Sequence, residues 1–336
     1  MGKLVRVSAL LLAIVGTSFK VVALEKPIEV KVFIAAMFEI GDNSGDRAGE
    51  FQYWYERYFK NSNIVQVKGA LNPVYCNQDA VCGSVLGMGK VGSSASIQAI
   101  VLSDKFDMSQ SYFVISGVGG TPPNKGTIGD VSWGSWLVDY DLGHRWKPEE
   151  GPAGQPTFMP RKGYESIRRY QLNPALLDWS LYLSQGVELK DSDGAKAYRM
   201  RYPQKAARSL PTINNGTHMT GDTFFHGPGL SQEAQYIASS YGADDYVITE
   251  MEAAAIAQVL SRSVGTERLM SLRGAVNFDQ GHPNESTLAH LDPAPGETAG
   301  GFAETVENIV LVGEKVVDHI VQNWAQWRQG PPPFTK

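Results

Sequence analysis

The chain has only two cysteines in 336 residues, no block of consecutive basic residues and no internal repeat. Two cysteines are too few for a disulfide-dense scaffold, and none of the six histidines lies beside them, so a zinc-type ligand set is not expected. A formal net charge of -5 offers no broad cationic surface for nucleic acid. Beyond the N-terminus no stretch approaches the ~18 uninterrupted apolar residues that a spanning helix needs. What remains is a chain with a sizeable core, 43% hydrophobic, whose 35 glycines supply tight turns. Any partner of such a chain is expected to be a small molecule.

The N-terminus carries Lys3 and Arg6, then the apolar run Val7 to Val15, then small residues ending at Ala23. This is the pattern of a signal peptide over 1–23 cleaved near Ala23, with a periplasmic or secreted product. Gly16 and Lys20 interrupt the run and make it a poor membrane span. In an exported chain, Cys76 and Cys82 of "YCNQDAVCG" most simply close a small disulfide loop.

Residues 24–330 read as a single α/β domain. "IEVKVFIAAMF" (28–38), "YFVISGVGG" (112–120) and "RLMSLRGAV" (268–276) suit buried strands of a parallel sheet. "SSASIQAIVLSDKF" (93–106), "EMEAAAIAQVLSRS" (250–263) and "PALLDWSLYLSQGV" (174–187) have helical patterns, and 302–324 is one amphipathic helix. Strands alternating with helices indicate an α/β sandwich. The proline- and glycine-rich stretch at about 133–211 breaks this alternation and is expected to be an insertion within the domain.

Four motifs could carry chemistry. "GMGKVG" (87–92) satisfies G-x-G-x-x-G, which taken alone is a weak dinucleotide signal, and Ser84 and Val91 exclude a P-loop. More generally, Gly87 and Gly89 would open a helix whose N–H groups can hold an anion or a polarised water. "SGVGG" (116–120) reads as a glycine turn at a strand end, and "GDTFF" (221–225) pairs Phe224 with Phe225. In "TEMEAAAIA" (249–257), Thr249 and Glu252 have capping-box spacing, which leaves Glu250 and Met251 unassigned.

In this order the motifs, together with "AAMFE" (35–39), "GTIGD" (126–130) and "RGAVNFD" (273–279), resemble the nucleoside phosphorylase and nucleosidase superfamily. The resemblance is strongest to the methylthioadenosine/S-adenosylhomocysteine nucleosidases and to the exported group called purine nucleoside permeases. It implies a three-layer α/β/α sandwich with a mixed central sheet, no metal or organic cofactor, a homo-oligomer and a purine nucleoside ligand. Glu252 would then bind the ribose hydroxyls, accepting charge-assisted hydrogen bonds from both. Met251 would pack on the sugar and Glu250 would stand beside it. Gly117, Gly119 and Gly120 would let the ligand approach the backbone, Phe224 would stack on the purine, and the Phe225 backbone would read the base edge. Asp222 is read as structural.

The resemblance puts Asn277 at the residue that holds the leaving purine, where the nucleosidases have Asp. An amide there suits 6-oxopurines but delivers no proton. Asp279, two residues on, could act instead. Ile115 and Val118 stand where phosphorylases hold phosphate with Arg and Ser, so water is the expected nucleophile, with Arg47 as a partial replacement if phosphate binds. Glu39 is the candidate for orienting that water, one position before the family's acid, where this chain has Ile40. The expected activity is hydrolysis of purine nucleosides. The alternative is nucleoside binding for uptake or storage, with phosphorolysis and a dehydrogenase behind it.

Overall fold

The computed structural model describes residues 26–293 and 298–335; the expected signal peptide, 1–23, lies outside them. A ten-stranded mixed sheet organises the chain. Its strands are β1 (Val32–Ala36), β2 (Asn63–Val65), β3 (Val74–Cys76), β4 (Val81–Val85) and β5 (Tyr112–Thr121), followed by β6 (Val131–Asp139), β7 (Arg169–Gln171), β8 (Ile213–Thr220), β9 (Tyr246–Glu250) and β10 (Leu269–Phe278). Their order is β7-β6-β8-β9-β5-β1-β4-β3-β2, and β10 pairs with both β5 and β6. The pairings β5–β10, β10–β6, β6–β8, β8–β9 and β9–β5 therefore close a ring, with β9 meeting β5 at Thr249 and Gly120.

Two-residue periodicity sorts each strand between two helical layers. Phe33 and Ala35 of β1 and Phe113 and Ile115 of β5 join the core under α1 (Gly89–Val101). Val32 and Ile34, with Tyr112 and Val114, face the opposite core. In chain order the other long helices are α2 (Pro174–Leu183), α3 (Pro228–Ser240), α4 (Ala253–Ser261) and α5 (Phe302–Gln322). Ala253, Ile256 and Leu260 of α4 lie with α1, whereas Leu176 of α2 and Val312, Val316 and Ile320 of α5 lie on the other face. Burial on both faces is why β1 and β5 read as continuous apolar runs. The result is the three-layer α/β/α arrangement with a mixed sheet.

The elaboration begins later than the sequence suggested. Residues 133–139 belong to β6, a central strand, and Trp133 is buried against the α5 side. Beyond Asp139 the chain forms an antiparallel ribbon of Gly143–Arg145 with Phe158–Pro160, adds β7 to the sheet edge, and packs α2 onto the core. The Asn173 side chain caps α2 by accepting from Ala175 and Leu176 N–H. Cys76 and Cys82 are opposite one another on β3 and β4 and form a disulfide.

Candidate functional site

A cavity of about 230 Å³ opens where β5, β9 and β10 end. Val118 and Gly119 of β5, Glu250 to Glu252, Arg273 and Asn277 of β10, Met37 and Phe38 after β1, and Phe224 line it.

Its polar centre is Arg273, buried and alternating on β10 with residues that pack away from the cavity. Arg273 Nη2 donates to Glu250 Oε2 at 2.7 Å and Glu252 Oε2 at 3.1 Å, and Nη1 donates to the Val118 carbonyl at 3.1 Å. Glu50 completes the group. Its Oε2 accepts from Met37 N–H at 2.8 Å and its Oε1 from Val118 N–H at 2.7 Å. A Cβ on Gly117 would lie 2.5 Å from Glu50 Oε1 and 2.7 Å from Arg273 Nη1, so both side chains press against this bare backbone.

Three acids thus face one guanidinium, and among the described residues Arg273 is the sole cation lining the cavity. Burial pushes Glu50 up to about 7, with Glu252 adding to the rise while Arg273 opposes it. Burial also raises Glu252 against the pull of Arg273. Charged forms are disfavoured away from water, and one cation cannot offset three anions.

The capping box that the spacing of Thr249 and Glu252 would allow does not form. Thr249 is in β9, and α4 starts at Ala253 without a side-chain cap from Glu252. Glu250 caps the helix instead. Its Oε2 accepts from Glu252 and Ala253 N–H at 2.8 Å each, and its Oε1 from the Thr220 hydroxyl. Glu252 is thereby released towards the cavity. Its Oε1 accepts from Gly89 N–H at 2.8 Å and its Oε2 from Arg273. A carboxylate offers about four acceptor sites, so half remain for a ligand.

Several other sequence-derived assignments are corrected. Glu39 does not face the cavity; it accepts from the N–H groups of Ile40, Gly49, Phe51 and Gln52 and ties down the loop between them. The one-residue offset noted in the sequence turns it away, and Glu50 occupies the carboxylate position at the cavity. Asp279 follows the end of β10 and is buried away from the lining, accepting from the Tyr246 hydroxyl at 3.1 Å. Arg47 does not join Gly87 and Gly89. It lies over the Phe302 ring at 5.6 Å in a neighbouring cavity of about 690 Å³ that meets the first at Val276 and Asn277.

Phe225 is buried against Tyr140, with ring centroids 4.3 Å apart, and its N–H donates to the Thr223 carbonyl, so that N–H is not available to a base. "SGVGG" is not a turn, since β5 runs through it to Thr121. Only Gly119 of its glycines lines the cavity; Gly120 lies under the Asn277 amide oxygen. Gly87 and Gly89 do open α1, with φ of 99° and 76°, but the Gly89 N–H is occupied by Glu252.

Glu252, Met251, Glu250, Phe224, Gly119 and Asn277 are brought together as expected. Glu50 and Arg273 were missed as site residues. The available signal was a single acid in "AGEFQYW", between a glycine and an aromatic run, but nothing local ties it to residues more than 60 positions away.

The chain is 26% identical to the probable purine nucleoside permease of Schizosaccharomyces pombe, covering 97% of this chain and 99% of that protein. It is also 26% identical to a purine nucleoside permease of Candida albicans, over 88% of this chain and 75% of that one. Among solved structures it is similar to the 5′-methylthioadenosine/S-adenosylhomocysteine nucleosidase of Neisseria meningitidis, with a TM-score of 0.55 and 17% identity over 87% of this chain and 99% of the other. The futalosine hydrolase of Helicobacter pylori gives a TM-score of 0.56 and 15% identity, over 87% and 98% respectively. These two structures share the fold, that of the nucleoside phosphorylase type. Residues 29–332 match the purine nucleoside permease (NUP) family, and the chain belongs to that family.

Proposed function

We propose that the chain binds a purine nucleoside in the Glu252 cavity and cleaves its N-glycosidic bond with water. The observation that carries this reading is the state of Glu252: held rigidly by Gly89 and Arg273, yet left with acceptor sites open to the cavity. A vicinal diol supplies two donors that match them. Met251 and Phe224 provide apolar surface for sugar and base.

Water is favoured over phosphate because the lining holds three carboxylates and a single arginine that they already neutralise. A phosphate dianion would lose hydration there without gaining an unspent cation. Glu50 is the base: its ionised carboxylate takes a proton from water while the oxygen bonds to C1′. The C1′–N9 electron pair leaves with the purine. Glu252 stabilises the positive ribosyl centre, and the Asn277 amide hydrogen-bonds the departing base, which solvent protonates.

Chromatography of inosine, guanosine and adenosine incubated with the protein tests this. Free purine released at the same rate with and without phosphate is expected. Glu252→Gln should lose about 100-fold or more in kcat/KM. Phosphate-dependent release, or an unaffected Glu252→Gln variant, overturns the respective part.

A second reading is nucleoside binding that serves uptake. Asn277 favours it, because an amide cannot protonate the leaving base. Among the described residues no helix is long and apolar enough to cross a membrane. Tight binding with no base release over hours would establish it. Export by cleavage near Ala23 belongs to either reading and is checked by N-terminal sequencing of the secreted protein. The homo-oligomer that the resemblance implies is checked by sedimentation.

A further inference from the structure

Resting on that reading of the cavity, we propose that Lys90 and Asp222 are positioning residues: they form a latch that holds the Phe224 ring over the bound nucleoside. The loop 221–227 carries Phe224, which is 45% exposed and lines the cavity while its neighbour Phe225 is buried. The His226 ring stacks beside that of Phe224 at 6.4 Å on the same loop, so the placement of the pair depends on what fixes the loop backbone.

Hydrogen bonds fix this loop at both ends and near its start. At one end, Gly221 N–H donates to the Glu250 carbonyl at 3.0 Å; at the other, Gly227 N–H donates to the Asp279 carbonyl at 2.8 Å. Between them Asp222 bonds twice. Its Oδ1 accepts from Lys90 N–H at 2.7 Å, and its own N–H donates to Asp141 Oδ2 at 2.8 Å. Lys90 Nζ closes the circuit, 2.7 Å from the same Asp141 oxygen and 3.2 Å from Asp139 Oδ2.

Lys90 thus joins three acids from three segments: the end of β6, the turn after it and the Phe224 loop. Removing its charge leaves Asp139 and Asp141 repelling one another without their shared cation, and a displaced Asp141 no longer accepts the Asp222 N–H, so the Asp222 turn loses one of its two ties. The start of α1 is linked to the cavity through two acids on adjacent N–H groups, Glu252 on Gly89 and Asp222 on Lys90. The first holds the sugar clasp and the second the base platform, so sugar and base surfaces keep a common reference.

The test combines hydrogen exchange with a double-mutant cycle. In the ligand-free full chain, Lys90→Met should lose protection in a peptide spanning 219–228, and Lys90→Arg should restore it. With inosine, Lys90→Met should raise KM about tenfold with kcat changed less than about twofold, since stacking is bound mainly in the ground state. Phe224→Ala should weaken binding similarly, and the double variant should be no worse than either alone, because both act through the same ring.

Unchanged exchange in Lys90→Met overturns the latch whatever the function. Lost protection with wild-type KM, or additive effects in the cycle, overturns its positioning role. If exchange responds but the wild-type chain neither cleaves nor binds any purine nucleoside, the functional reading fails while the loop latch stands.

Discussion

At the scale of single residues, the site turns on which acid is spent and which is free. Glu250 satisfies Arg273, Thr220 and two N–H groups at the start of α4, and by doing so it releases Glu252. Glu50 is the proposed base, and burial brings it up to about 7. Below that pH it holds its proton and cannot accept one from water. The expected kcat/KM for purine release therefore rises with pH through about 7 and reaches a plateau above it. A pH–rate profile of Glu50→Gln should have lost that limb along with most of the rate; a retained limb would assign it to another group.

At the scale of elements, β9 and α4 depend on the buried Arg273–Glu250 pair. Glu250→Ala removes the cap of α4 and leaves the buried Glu252 and Ala253 N–H groups and the Thr220 hydroxyl without their acceptor, while Arg273 keeps Glu252. It is expected to destabilise the fold by about 2–4 kcal/mol, read from the urea midpoint at constant m-value. β5 makes a different demand. A Cβ at Gly117 would stand 2.5 Å from Glu50 Oε1, so Gly117→Ala must displace Glu50 or Arg273. The strand itself tolerates alanine. A folded Gly117→Ala protein with an altered pH–rate midpoint is expected, whereas wild-type kinetics would show that Glu50 sits elsewhere during turnover.

The elements were largely legible in the sequence because their signals are local. The continuous apolar run of β1 and the helical stripe of α5 fall within one window each. Their ends were less so. α4 was expected from residue 250 and begins at Ala253, since β9 pairs with β8 through Glu250 and extends the strand into the acidic motif. "SGVGG" looked like a turn, yet pairing with β10 on one side holds it extended to Thr121. The long β6 was hidden at the edge of a proline-rich stretch for the same reason: its partners, β8 and β10, lie far along the chain.

For the whole molecule, closure of the β5–β10–β6–β8–β9 ring brings the ends of β5, β9 and β10 to one mouth, and the cavity follows from that closure. The Cys76–Cys82 bridge joins β3 to β4, neither of which lines the cavity, and spans a sequence separation of 6. Closing so short a loop contributes about 2 kcal/mol through the unfolded chain. Denatured, unreduced protein should titrate no free thiol, and reduction should lower the unfolding midpoint without changing nucleoside turnover.

The amino-acid sequence by itself determined the layered α/β class, the family, the disulfide pair and the convergence of Glu252, Met251, Phe224 and Asn277. Each rests on short-range pattern or on motifs read in order. Only the tertiary structure decided that Glu250 caps, that Glu39 is a loop tie, and that Glu50 stands at the cavity beside Arg273. An acid's role is set by the donors and charges around it, and those come from strands and loops that meet only when the ring closes.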